Sequence, residues 1–189
     1  MTSFRTVLGA VVFADLSGFS PVVDPLDEKA YLTFMTEFRE VVFASLAPRL
    51  PDNRVQWGFW GDEVKAIFHG DDVKRNAAEA VRFAADLQRA WERSAVADTY
   101  RTPGGAIMTF KIGVATGDVT VGPFAGATAP EIEARALLVA RTLSKWAKLG
   151  ATTRIYLDAA TCRLLEGPGS PRVVAVDGKD AWELERLPA

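Results

Sequence analysis

The segment RVQWGFWGDEVKAIF, residues 54–68, limits the possible folds of this chain more than any other. It holds two β-rich runs, about 54–60 and 63–68, joined at Gly61-Asp62, a dipeptide suited to a two-residue hairpin turn. Two strands so joined must pair antiparallel, and the tip must present an acid. Helical patterns lie on both sides. From Asp27 to Leu46 the apolar residues Tyr31, Phe34, Met35, Phe38, Val41, Val42 and Leu46 recur at helical spacing, with Asp27 placed as a cap. From about Asp72 to Ser94, Val73, Ala77, Val81, Ala84, Leu87 and Trp91 share one face.

Strand patterns close both ends of this unit. Residues 6–14, rich in Val and Phe and followed by a Ser-Gly turn, read as a strand buried on both faces. MTFKIGVATGDVTVG reads as two strands, 108–115 and 118–122, around a Thr-Gly turn. A third helix over about 130–148, RIYLD, a short helix near 159–165, RVVAV and WELERL follow. The order βαββαβ predicts an α+β, ferredoxin-like core: a mainly antiparallel sheet with helices on one face, plus C-terminal extra strands. Thr102 to Ala106 is expected to be exposed and mobile.

With 189 residues, about half of them apolar, one core and a single domain over 1–189 are expected. A net charge of −2 gives no basic footprint for nucleic acid or an anionic membrane. No segment has the roughly 18 to 20 uninterrupted apolar residues of a spanning helix, and the single cysteine, Cys162, excludes an internal disulfide. The expected setting is soluble and cytoplasmic.

In this topology the first strand lies mid-sheet beside the hairpin. Asp15 at its end and Asp62 at the hairpin tip can therefore approach one another. Close carboxylates repel unless a cation sits between them, and hard oxygen donors without nearby His or Cys favour Mg²⁺ or Mn²⁺ over zinc. His69 falls at the far end of its strand. The bend Leu16, Ser17, Gly18, Phe19, Ser20 offers backbone N–H groups to an anion such as a triphosphate. The plain alternative reads Asp15 as a turn or helix cap and Gly61-Asp62 as turn chemistry.

These residues resemble the class III nucleotide cyclases, the catalytic domain of adenylate and guanylate cyclases. FADLSGFS is similar to that family's first metal motif, FWGDEVKAIF to its second, and FKIGVATGDVTVG to its glycine-bearing strand pair, in the same order and spacing over about residues 8–186. The resemblance implies a homodimer with sites at the interface and two ions, Mg²⁺ or Mn²⁺, held by Asp15, Asp62 and the carbonyl of Leu16. It also implies conversion of a nucleoside triphosphate to a 3',5'-cyclic nucleotide and pyrophosphate. It breaks at base selection: Gly58 stands where adenylate cyclases carry Lys and guanylate cyclases Glu, and the matching second position falls near Glu131.

The resemblance puts the family's transition-state Asn and Arg slots in the third helix on Leu138 and Thr142, with Arg141 adjacent and able to reach the phosphate if the helix is rotated or the count slips by one. Lys179, in the loop before the last strand, is placed to meet the triphosphate. Stand-alone bacterial pyrimidine cyclases of antiphage defence, which make cyclic UMP or cyclic CMP, also lack the purine-selecting pair. The aromatic strand Gln56, Trp57, Gly58, Phe59, Trp60 could narrow a base pocket to suit them. Other readings are an inactive cyclase-like nucleotide-binding or interaction domain and a diguanylate-cyclase relative suggested by WGDEV. The last does not explain GVATGDVTVG.

Overall fold

The computed structural model describes residues 4–50, 54–122, 131–167 and 170–187. In chain order these form β1 (Arg5–Ser17), α1 (Phe19–Val23), α2 (Glu28–Leu46), β2 (Val55–Trp60), β3 (Glu63–His69), α3 (Val73–Glu92), α4 (Ala95–Thr99) and β4 (Thr109–Gly122). Then come β5 (Glu131–Ala134), α5 (Arg135–Ala147), β6 (Ile155–Leu157), α6 (Ala159–Leu165), β7 (Val173–Ala175) and β8 (Trp182–Leu184).

The strands make one sheet in the order β2-β3-β1-β4-β6-β8-β7, with β5 on the remaining edge of β4. Among the described residues only the β4–β6 pair is parallel. β1 lies between β3 and β4, so the βαββαβ expectation holds for β1, α2, β2, β3, α3 and β4. The alternation of β1 divides its side chains between two cores. Ala10, Val12, Ala14 and Leu16 meet α2 and α3, while Val11 and Phe13 meet α5. The two helices of the βαββαβ unit thus share one face as expected, and α5 adds a third layer across the other.

Local chemistry fixes the long helices. Asp27 accepts a hydrogen bond from the Ala30 N–H at 2.8 Å, and Asp72 from the Arg75 N–H at 2.9 Å, each meeting one of the unpaired donors of a first turn. Phe34, Phe38, Trp91 and Phe110 pack as a buried aromatic cluster with centroids 5.7–6.5 Å apart, and each ring contributes roughly 2–3 kcal/mol by burial. The Trp91 indole N–H is satisfied by the Met108 carbonyl at 2.6 Å.

Two expectations need correction. Residues 109–122 form one unbroken strand, paired with β1 from Arg5↔Val121 to Ser17↔Thr109, so no turn exists at Thr116-Gly117. The third helix begins at Arg135, because Glu131–Ala134 pair with the far end of β4 instead; its expected first residue, 130, lies outside the described residues. Thr102–Ala106 does form an exposed turn, closed by the Arg101↔Ile107 bridge. No helix among the described residues is long and apolar enough to cross a membrane.

Candidate active site

β1 delivers Asp15 near its end, on the α5 face, and its chain then turns at Gly18, whose φ of +88° is left-handed. A side chain there would also press within 2.9 Å of Thr102. The β2–β3 hairpin delivers Asp62. Trp60 pairs with Glu63, leaving Gly61 and Asp62 as a two-residue loop with φ +61° at Gly61. Since Ala14 pairs with Val64, the loop lies directly beside the end of β1.

The two acids sense each other's charge. The Asp62 carboxyl is pushed up to about 6, first by burial and then by the charge of Asp15. Hydrogen bonds from the backbone N–H groups of Asp62 and Leu16, and the Lys111 charge, oppose that rise without cancelling it. The pair therefore carries incompletely neutralised negative charge on hard oxygen donors, the chemistry that suits Mg²⁺ or Mn²⁺. No group of three or more His, Cys, Asp or Glu residues is arranged to hold a metal among the described residues. Two carboxylates, with remaining positions filled by water and substrate phosphate, are a usual share for Mg²⁺.

Arg141 joins this cluster from α5. Its guanidinium lies 5.6 Å from the centroid of the Phe13 ring, two residues before Asp15, and its Nη2 is 3.2 Å from Glu63 Oε1. Leu138 and Thr142 face solvent instead, with Thr142 donating its hydroxyl to the Leu138 carbonyl at 2.9 Å. Lys111, the cross-strand partner of Asp15, places Nζ 2.9 Å from its Oδ1. Sequence reasoning passed over Lys111 and Glu63, although the alternation in FKIGV and GDEV puts both on the face of Asp15.

Other candidates are spread out. Leu16 is buried in the core and presents only its backbone; Ser17, Gly18 and Phe19 are half-buried and Ser20 exposed, with Phe19 packed against Phe34. Gln56 and Gly58 pair with Ile67 and Lys65, on the sheet face that carries Asp15. Lys179 rests its ammonium 4.9 Å from the ring centroid of Trp146, near the end of α5, rather than at the acids. Glu131 pairs with Gly122, and the rise of β4 separates that end from Lys111 by about 35 Å. The Glu131 side chain lies outside the described residues, but its backbone stands too far away to serve the same chain's Asp15.

No family model and no curated protein matches the sequence. Solved structures do match. The monomeric guanylyl cyclase domain of the RhoGC fusion protein from the aquatic fungus Blastocladiella emersonii superposes at TM-score 0.72 with 16% identity, covering 97% of this chain and 98% of that one. The catalytic core of a rhodopsin-guanylyl cyclase with converted specificity, in complex with ATPαS, gives 0.69 and 17%, covering 95% of each. The adenylyl cyclase CyaB from P. aeruginosa gives 0.68 and 19%, over 95% and 93%. The fold is thus that of guanylyl and adenylyl cyclase catalytic domains, as the motif resemblance implies.

Proposed function

We propose that this protein is a nucleotide cyclase that converts a nucleoside triphosphate to a 3',5'-cyclic nucleotide and pyrophosphate between two copies of the chain. One observation carries the reading: Asp15 and Asp62, from separate elements, converge at one end of the sheet, close enough for the charge of Asp15 to add to burial in raising the Asp62 carboxyl to about 6. Mutual repulsion of that kind is wasteful in a turn and useful at a cation site. The cyclase fold adds to it.

Asp15, Asp62 and the Leu16 carbonyl would hold two ions of Mg²⁺ or Mn²⁺. Bound there, the ions would supply charge neutralisation on the phosphates and make the attacking hydroxyl more acidic. The chain's own groups do the rest. Ser17, Gly18, Phe19 and Ser20 form the bend that lines the phosphate side. Arg141, held over Phe13 and paired with Glu63, is near enough to move toward a charged transition state. In-line attack of the ribose 3'-hydroxyl on the α-phosphorus then expels pyrophosphate.

Gly58 offers no side chain to a purine edge, which favours an unusual base, with UTP or CTP as the candidate substrate and antiphage signalling as the setting. Glu131 and Lys179 would act across the interface. A homodimer fits the separation of about 35 Å between Glu131 and Asp15, and a non-canonical dimeric form of the Blastocladiella domain has been solved. The expected location is cytoplasmic, with no nucleic-acid or membrane partner.

One feature favours a second reading, a cyclase-like domain that binds nucleotide without turnover: Leu138, an apolar side chain 70% exposed, stands in the slot where the family carries Asn. Incubating the purified protein with Mn²⁺ and each of the four triphosphates, then identifying products by mass, separates the two. A cyclic nucleotide plus pyrophosphate from the wild type, reduced at least about 10²-fold in Asp15→Asn and Asp62→Asn, is the expected result. Nucleotide binding with no product from any triphosphate would establish the second reading.

A further inference from the structure

The proposed chemistry makes no use of Lys111, yet its ammonium is bonded to Asp15 at 2.9 Å and its side chain is only 18% exposed. The sheet dictates this pairing, because Asp15 and Lys111 are direct partners in the β1–β4 ladder. The backbone is fixed as well: Ser144 of α5 donates its hydroxyl to the Lys111 carbonyl at 3.0 Å. Five charges crowd this corner, Lys111 and Arg141 against Asp15, Asp62 and Glu63. Arg141 is engaged by Glu63 at 3.2 Å, while the Lys111 ammonium is bonded to Asp15.

Resting on the cyclase reading, we infer that Lys111 is a built-in counter-cation that competes with a divalent ion for Asp15 and thereby sets how tightly the Asp15–Asp62 pair holds that ion. An ammonium and a dication at bonding distance from one carboxylate repel each other. An ion binding Oδ1 must displace Nζ, and one binding Oδ2 still meets its repulsion unless the flexible four-carbon stem of lysine swings the ammonium away. Lys111 is a positioning residue in this account. It keeps Asp15 neutralised and oriented until a metal arrives, and its displacement makes binding weaker and more readily reversed than two bare acids would give.

The test is Mn²⁺ binding without nucleotide, followed by electron paramagnetic resonance of the free ion and by calorimetry, for wild type, Lys111→Met, Lys111→Arg and Asp62→Asn. Lys111→Met should bind Mn²⁺ about tenfold more tightly than wild type, the size of a one-unit electrostatic competition. Lys111→Arg should stay within about twofold of wild type, and Asp62→Asn should lose binding. Lys111→Gln, with its fold checked by circular dichroism, serves if Lys111→Met does not fold. If removal of the ammonium leaves the affinity unchanged or lower while Asp62→Asn abolishes binding, the role of Lys111 alone falls. Wild type binding no better than Asp62→Asn overturns the metal site and this inference together.

Discussion

Asp62 is poorly served as an isolated carboxylate, and that has a measurable consequence. Folding raises its pKa from 3.8 to about 6, so the folded chain holds this proton more tightly than the unfolded chain. Below about pH 4 the group is protonated in both states and the fold keeps its full stability. As pH rises through 6 the ionised form must be accommodated beside Asp15, and stability declines. The shift corresponds to about 3 kcal/mol at most, and about 1–2 kcal/mol after solvent screening at this half-buried position. Asp62→Asn should therefore raise the melting temperature of metal-free protein at pH 7.5 while abolishing turnover, and the thermal gain should vanish at pH 4. A variant less stable than wild type at pH 7.5 would mean that the two acids do not repel.

At the level of elements, α5 sits close to the sheet because small residues line the contact. A Cβ on Gly113 would lie 1.9 Å from the Ala140 carbonyl and 2.7 Å from the Ser144 nitrogen. Gly113→Ala should lift α5 and cost about 1–3 kcal/mol in urea unfolding. It should also impair catalysis more than stability, because Arg141 moves with the helix. A second device holds the turn after α5. Glu183, buried on β8, accepts N–H bonds from Ala151, Thr152 and Arg154 at 2.9–3.1 Å. Burial alone would push its carboxyl up, but these donors outweigh burial and hold it below the ordinary value. Its stabilisation is present above the unfolded carboxyl's pKa and is lost as pH falls through the lower folded value. Glu183→Gln should cost about 1–3 kcal/mol at pH 7, and the difference from wild type should shrink toward pH 3 in denaturant titrations.

Elements also show where sequence reading works. Periodicity placed α2 and α3 to within two residues, with Asp27 as the expected cap of α2, since an amphipathic stripe and an N-cap Asp are local signals. Thr116-Gly117 looks like a turn locally, but Gly117 pairs with Gly9 inside the ladder, and a Cβ there would meet Ala136 of α5 at 3.4 Å. Its smallness serves a helix that comes later in the chain. β5 was hidden for a similar reason. β6 pairs with β4 only at residues 112–114, which leaves an edge free at 119–122, and no pattern within 131–134 announces that opening.

For the whole molecule, strand order was legible because a hairpin between two helices leaves few topologies, and that order brought Asp15 to Asp62. The ring of charges around the pair was not legible as a ring. Lys111, Glu63 and Arg141 come from β4, β3 and α5 and meet only through sheet register and helix packing. The same sheet face carries Trp60, 84% exposed, cross-strand from Glu63, and Leu138, also exposed, stands on α5. If this face meets a second copy, specific activity should rise with protein concentration. Trp60→Ser should then weaken both sedimentation as a dimer and turnover, with a melting temperature within a few degrees of wild type. Unchanged sedimentation together with full activity would place the partner surface elsewhere.

The uninterrupted run of β4 acts as a ruler. It joins the lysine beside the paired acids to the opposite rim, where β5 begins, and its hydrogen bonds to β1 forbid it to stretch or slip. If the proposed dimer forms with two copies head to tail, that one fixed length sets their offset at both shared sites, and a single chain carries it.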